Sequence, residues 1–146
     1  MTTTALEDWL LDRALAPDTD DDTLAPLYRA ASHHELVLPF CATCALPLEF
    51  DQKACDHCGD TEHDWRTVDL HGVVHAATLM HRREPGLVLA LAPYPIIDVE
   101  LASGHRMVMT TVQSADTAPP IGTAVRIGFR RLGDVVLPAI ETLEDQ

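Results

Sequence analysis

Four cysteines carry the clearest chemistry in this sequence of 146 residues. They stand as Cys41-Ala42-Thr43-Cys44 and Cys55-Asp56-His57-Cys58, with ten residues between the two pairs. A pair spaced two residues apart forms a knuckle that points two thiolates at one ion, and two knuckles complete a tetrahedral sulfur site. Gly59 follows the second pair, where a tight turn lets main-chain amides approach the sulfurs. The pattern predicts a zinc ribbon held by Cys41, Cys44, Cys55 and Cys58, with iron in a rubredoxin-like site as the alternative, because four-sulfur geometry accepts both metals. His57 lies inside the second knuckle, where its side chain is expected to point away from the ion. Four protein ligands leave no open position for water or substrate, so the metal is expected to be structural, contributing on the order of 10 kcal/mol to folding of the ribbon.

Chemistry elsewhere in the chain is sparse. His71, His75 and His81 alternate along one expected strand, and His105 follows a glycine. At ~3.3 Å per residue the triplet spans roughly 30 Å, so its members cannot share one ion, and surface or half-buried histidines are the default reading. No Gly-x-Ser-x-Gly elbow, His-Glu-x-x-His helix, P-loop or dinucleotide fingerprint occurs in the sequence. With all four thiols committed to the knuckles, the residues predict no catalytic group, and the chain reads as a binding or accessory protein.

Charge narrows the partners. Ten Lys and Arg face 23 Asp and Glu, a formal net charge of −13. That balance argues against general binding of nucleic acid or docking to anionic membranes. The acids are unevenly placed: residues 66–131 hold seven basic residues against five acidic ones, so the longest segment offers a modest basic face. The most apolar stretch, Gly86 to Ile97, is broken by Pro93 and Pro95 and falls well short of the ~20 residues a membrane helix needs. The start, Met1 to Leu15, lacks the basic opening of a secretory signal, and the clustering of cysteines suits a reducing compartment. A cytoplasmic protein with no membrane segment is the expectation.

These motifs need elements to hold them, and the sequence divides into three parts. Residues 1–35 read as a helical segment. Thr4 and Glu7 form a capping-box pattern ahead of Leu6, Trp9, Leu10 and Ala14 at helical spacing. A loop with Pro17 and the run Asp20, Asp21 and Asp22 follows, and Thr23 can cap a second helix with Pro26 in its first turn. The Asp run reads as a solvated loop, since no EF-hand glycine or terminal glutamate follows it. Residues 36–65 form the ribbon. Residues 66–146 carry β signals: a long strand over Val68 to Leu79 with a bulge at Gly72, and a hairpin of Ile96 to Leu101 and Arg106 to Val112 around Ser103-Gly104. An alternating strand around Val125 to Arg130 and a fifth at Val135 to Leu137 complete the set. Five strands suit a small closed barrel of the OB type, and pattern alone also allows an SH3-like barrel or a sandwich. An OB barrel beside a zinc ribbon raises single-stranded nucleic acid as an alternative ligand. Arg82, Arg83, Arg106, Arg126, Arg130 and Arg131 lend that reading some support, but Tyr94 and Phe129 are the only aromatic residues available for stacking in residues 66–146.

The order Leu38-Pro39-Phe40-Cys41-x-x-Cys44, Cys55-x-x-Cys58-Gly59, Trp65, Gly72-Val73-Val74, Tyr94-Pro95, Val99-Glu100-Leu101, Gly104 and Ile121-Gly122-x-x-Val125 resembles the domain-of-unknown-function-35 family over roughly residues 24–140. The resemblance implies an N-terminal helical segment, a rubredoxin-like zinc ribbon and a C-terminal five-stranded OB-fold barrel. It also implies an accessory role in acyl-CoA metabolism. The partner would be a thiolase-superfamily protein, including lipid-transfer-protein-like thiolases and aldolases, or a MaoC-like hydratase, and it would supply the catalytic residues. The small subunit would help shape or close the acyl-CoA site. By the same resemblance Cys41, Cys44, Cys55 and Cys58 match the metal ligands, and no catalytic residue transfers. Ala45 stands where family members often have glycine, which implies a strained turn. Arg82 and Arg83, in the loop after the first barrel strand, are candidates for the phosphates of a coenzyme A thioester, against a default reading as solvated loop arginines. Trp9 and the acidic helical segment are candidates for a partner interface, although packing onto the chain's own barrel explains the same pattern.

Overall fold

The computed structural model describes residues 6–19 and 23–142. Its strands are β1 (Leu6–Glu7), β2 (Val37–Cys41), β3 (His63–Thr67), β4 (His71–Met80), β5 (Tyr94–Leu101), β6 (Arg106–Met109), β7 (Ala124–Leu132) and β8 (Val135–Thr142), with one α-helix, α1 (Ala25–Ala31). Antiparallel pairing joins β6 to β5, β5 to β4, β4 to β7 and β7 to β8. The ring is completed just past β6, where Val112 N–H donates to Ile140 O at 2.8 Å and Ile140 N–H to Thr110 O at 2.9 Å. This is the nearly closed five-stranded barrel expected from the sequence. β2 and β3 form a separate two-stranded sheet at the base of the cysteine ribbon.

Alternation fills the barrel. Ile97, Val99 and Leu101 of β5, Met107 and Met109 of β6, Val125 and Ile127 of β7 and Ile140 of β8 meet Val74 of β4 in one core. Leu27 of α1 and Leu36 and Leu38 at the ribbon base join the same cluster, so the helix and ribbon are anchored by burial in the barrel's own core. Gly72 sits where β4 is paired on both sides. A Cβ there would come within 2.6 Å of Val99 Cγ1 and 2.7 Å of the Glu100 carbonyl oxygen, so only glycine fits. The bulge expected at Gly72 lies instead between Val74 and Ala76, where the register with β5 slips by one residue.

The N-terminal segment departs from the helical expectation. Thr4 and Asp20 to Asp22 lie outside the described residues, but the helix expected over Leu6 to Ala14 is absent. Leu6–Glu7 pairs parallel to Arg130 and Arg131 of β7 instead, and Arg13–Leu15 forms a single 3-10 turn. Tertiary contacts override the helical spacing here. Asp8 accepts the Leu10 and Leu11 amides through Oδ1, at 2.7 and 2.8 Å, and pairs with Arg130 through Oδ2. Trp9 is half-buried, its indole N–H donating to Thr111 O at 2.8 Å, so it packs on the chain's own barrel. The second helix is present as α1 with Pro26 in its first turn. Its N-cap is Leu24, with no side-chain capping bond, in place of the expected Thr23. No helix among the described residues is long and apolar enough to cross a membrane.

Candidate metal centre and the comparisons with known proteins

Two turns built alike present the cysteines. After β2 the Ala45 N–H returns to Cys41 O at 2.9 Å, and in the second turn the Gly59 N–H returns to Cys55 O at 2.8 Å. Ala45 and Gly59 both adopt left-handed backbone, with φ of 61° and 78°. The knuckles are tied together by a hydrogen bond from the Thr43 hydroxyl to Asp60 and by Ala42 N–H donating to Glu62 O at 3.0 Å. Amides of Cys44 and Thr43 point at the Cys41 sulfur, that of Leu46 at Cys44 and that of Asp60 at Cys58. Such donors favour thiolate over thiol.

All four sulfur atoms lie within 4.8 Å of one another. Cys41 and Cys58 are 3.5 Å apart and Cys44 and Cys55 3.4 Å. A zinc ion bound at ~2.3 Å by four thiolates needs sulfur separations of about 3.8 Å, so the cluster fits such an ion with small adjustments. The sulfurs influence one another's protons. The amides of Cys44 and Thr43 pull the Cys41 thiol down to about 7, whereas the neighbouring Cys55 sulfur pushes Cys44 up to about 12. A cation at the centre removes that crowding penalty, and the four cysteines could hold a metal ion such as zinc.

The shared left-handed turn gives a paired prediction. A Cβ at Gly59 meets nothing within 4 Å, so Gly59→Ala costs only backbone strain. It should destabilise the ribbon by about 1 kcal/mol, while Ala45→Gly should recover a similar amount, offset in part by added freedom in the unfolded chain. Competition with a chromophoric chelator reads both changes as opposite shifts in metal affinity.

Sequence reasoning missed His105. Its side chain is only 7% exposed and joins ribbon to barrel. Nε2 lies 2.8 Å from the Pro39 carbonyl of β2, Nδ1 lies 2.7 Å from Ser103 Oγ, and the ring meets Phe40 edge-on with centroids 4.8 Å apart. A carbonyl only accepts, so the proton sits on Nε2 and the Ser103 hydroxyl donates to Nδ1. Burial lowers the His105 pKa below its ordinary 6.5, against the opposing effect of the Pro39 carbonyl. The neutral ring is therefore the folded form. Its stabilisation is complete above pH 6.5 and is lost as pH falls through the lowered folded-state value. Metal-loaded protein should lose stability between pH 7 and 5 more steeply than a His105→Gln variant in paired urea titrations, and parallel curves would refute this.

The other histidines follow the default reading. His71 is exposed beside Asp69 at 2.8 Å, His75 is exposed 4.0 Å from Glu100, and His81 is exposed beyond β4. Arg82 is held by Glu84, and Arg83 donates to Leu91 O at 3.2 Å. Arg106, Arg126, Arg130 and Arg131 face Asp98, Glu141, Asp8 and Glu7. Tyr94 and Phe129 are 6% and 7% exposed, so neither presents a ring face for stacking a base. Neutralised arginines and buried aromatics count against the single-stranded nucleic-acid alternative.

Comparison with known proteins adds three findings. Residues 65–130 match the family model for the ChsH2 C-terminal OB-fold domain. The fold superposes on a chain of the Ltp2-ChsH2(DUF35) aldolase with a TM-score of 0.72 and 26% identity, covering 87% of this chain and 98% of that one. A probable enoyl-CoA hydratase alpha subunit of Thermomonospora curvata is 31% identical over 98 residues, which are 67% of this chain. The present chain spans 30% of the length of that relative. With the helix, cysteine ribbon and barrel arranged as described, residues 65–130 carry the ChsH2-type OB fold, and the matches support the domain-of-unknown-function-35 family for this chain.

Proposed function

We propose that this chain is a non-catalytic accessory subunit of an enzyme complex acting on acyl-CoA thioesters. A thiolase-superfamily subunit performs thiolysis or retro-aldol cleavage, and this chain helps shape or close the acyl-CoA site. The likeness to the Ltp2-ChsH2(DUF35) aldolase, running through nearly the whole of the matched chain, is the observation that carries the reading. The hydratase-subunit relative favours a second partner, a MaoC-like hydratase, within the same class of accessory role. In either case residues 36–65 act as a ribbon in which Cys41, Cys44, Cys55 and Cys58 hold one structural zinc, and residues 66–146 act as the OB domain. The metal's chemistry here is to fix the fold, since four thiolates leave it no open position.

Arg82 and Arg83 remain the candidates for coenzyme A phosphates. Both side chains lie on the surface, and Arg82 would have to exchange Glu84 for phosphate. Calorimetry of a coenzyme A ester binding to the assembled complex should show weaker affinity in the Arg82→Ala, Arg83→Ala double variant, and unchanged affinity would remove these residues from the site. The functional reading itself is tested by turnover. The partner enzyme should lose acyl-CoA turnover when this chain is omitted and regain it on addition, whereas a partner equally active alone would refute an accessory role.

A further inference from the structure

The barrel leaves one strand edge bare. β4 pairs with β5 along its full length, but with β7 only at His71, Gly72 and Val73. Cover continues to Val74, whose N–H donates to Thr123 O at 2.9 Å and whose carbonyl accepts from Gly122 at 2.8 Å. Past the bulge it stops. Pro95, which has no N–H, stands opposite Leu79, so that pair exchanges no ladder bonds with β5, and the Leu79 N–H and C=O point away from the barrel. By alternation the main-chain groups of Ala77 point outward as well, and those of Thr78 point to β5. Among the described residues nothing bonds to these outward groups. His75 to Met80 are exposed throughout and include no Asp, Glu, Lys or Arg. Free strand edges are normally blunted by charge, proline or cover, and this edge has none of these.

We infer that the free edge of β4 pairs antiparallel with the same edge of a second copy of this chain, about a two-fold axis at Thr78. The register is self-complementary. Placing Thr78 opposite its symmetry mate sets Ala77 against Leu79 of the other copy, and Leu79 against Ala77. These are the two residues whose N–H and C=O are free, so each such pair exchanges two hydrogen bonds. Charge fits the same arrangement. His81 and Arg83 follow one end of the edge, where Arg82 is already paired with Glu84, and Glu100 stands at the other beside His75, where Asp98 is already paired with Arg106. Antiparallel pairing brings the basic end of each copy to the acidic end of its mate, while the uncharged middle allows two strongly acidic chains to approach.

Sedimentation of the isolated, metal-loaded chain over a range of concentrations tests the proposal. A concentration-dependent dimer is expected. Ala77→Pro removes an outward N–H without touching the β5 ladder, and should return the chain to monomer. Thr78→Lys and Thr78→Glu each place like charges across the axis, and each should weaken dimerisation by about tenfold or more, whereas an equimolar mixture should restore it as a heterodimer. Circular dichroism and metal content identify any variant that has misfolded, and the restored mixture needs both variants folded. A wild-type chain that stays monomeric up to millimolar concentration overturns the proposal. So does a dimer unmoved by all three substitutions, or edge amides that become protected from exchange only when an acyl-CoA enzyme subunit is added. None of these outcomes bears on whether such an enzyme binds elsewhere on the chain.

Discussion

Removing the metal ion proposed for the four cysteines, or replacing Cys41 by serine, is expected to unfold the tip of the ribbon while the barrel stays folded. The reason lies in what the tip buries. Its apolar cluster consists of Cys41, Leu48 and Cys55, with Cys44 packed against them, so Leu48 is the only member that is not a cysteine. Burial of one leucine does not offset the conformational entropy lost in ordering residues 42–62. A metal ion held by the four thiolates, together with the knuckle hydrogen bonds, would supply stabilisation that the tip's apolar contacts lack. The ribbon base behaves differently, because Leu36 and Leu38 lie in the barrel core. Hydrogen exchange before and after chelation should therefore show residues 42–62 losing protection and β4 to β8 keeping it. A tip that remains protected after the metal has been removed would contradict the account.

Asp8→Ala is expected to cost about 3–5 kcal/mol, a large effect for a residue outside any motif. Asp8 and Arg130 are 2% and 11% exposed at their side chains, and each is the other's charge partner. Burial already disfavours the Arg130 guanidinium, an effect the Asp8 carboxylate opposes. Truncating Asp8 leaves that cation buried without an anion, and it also frees the Leu10 and Leu11 amides. Asp8→Asn keeps an acceptor for those amides and loses only the charge, so it should cost less. The double variant Asp8→Ala, Arg130→Met removes the stranded charge and should recover a substantial part of the loss. Urea denaturation of the four proteins checks the order. Equal stability of Asp8→Ala and wild type would mean the N-terminal segment is not clamped to β7.

The contrast between these two predictions marks what was legible in the sequence. Chemistry imposed by local spacing could be read directly: two Cys-x-x-Cys knuckles converge because two residues is the separation a knuckle needs. The barrel strands could also be read, since β-branched residues alternate between glycine-marked turns at Gly104 and Gly122, both at positive φ. The N-terminal segment could not. Trp9 and Leu10 recur at helical spacing, but their apolar surface is taken up by the barrel, and the Asp8 side chain bonds the amides that a helix would have used. His105 was equally hidden, because its partner is a carbonyl 66 residues away in the chain. Gly72 suggests a bulge because glycine often marks one. There the glycine serves close approach of β5, and the bulge follows at His75.

The central claim, an accessory subunit bound to an acyl-CoA enzyme, is most directly tested by mild affinity purification of the tagged chain from its native lysate. Intact-complex mass measurement then gives composition and stoichiometry. A thiolase-like or hydratase-like subunit is expected at near-stoichiometric yield, resistant to nuclease and carrying acyl-CoA turnover. Recovery of this chain with no other protein, or with partners released by nuclease and by moderate salt, would contradict it.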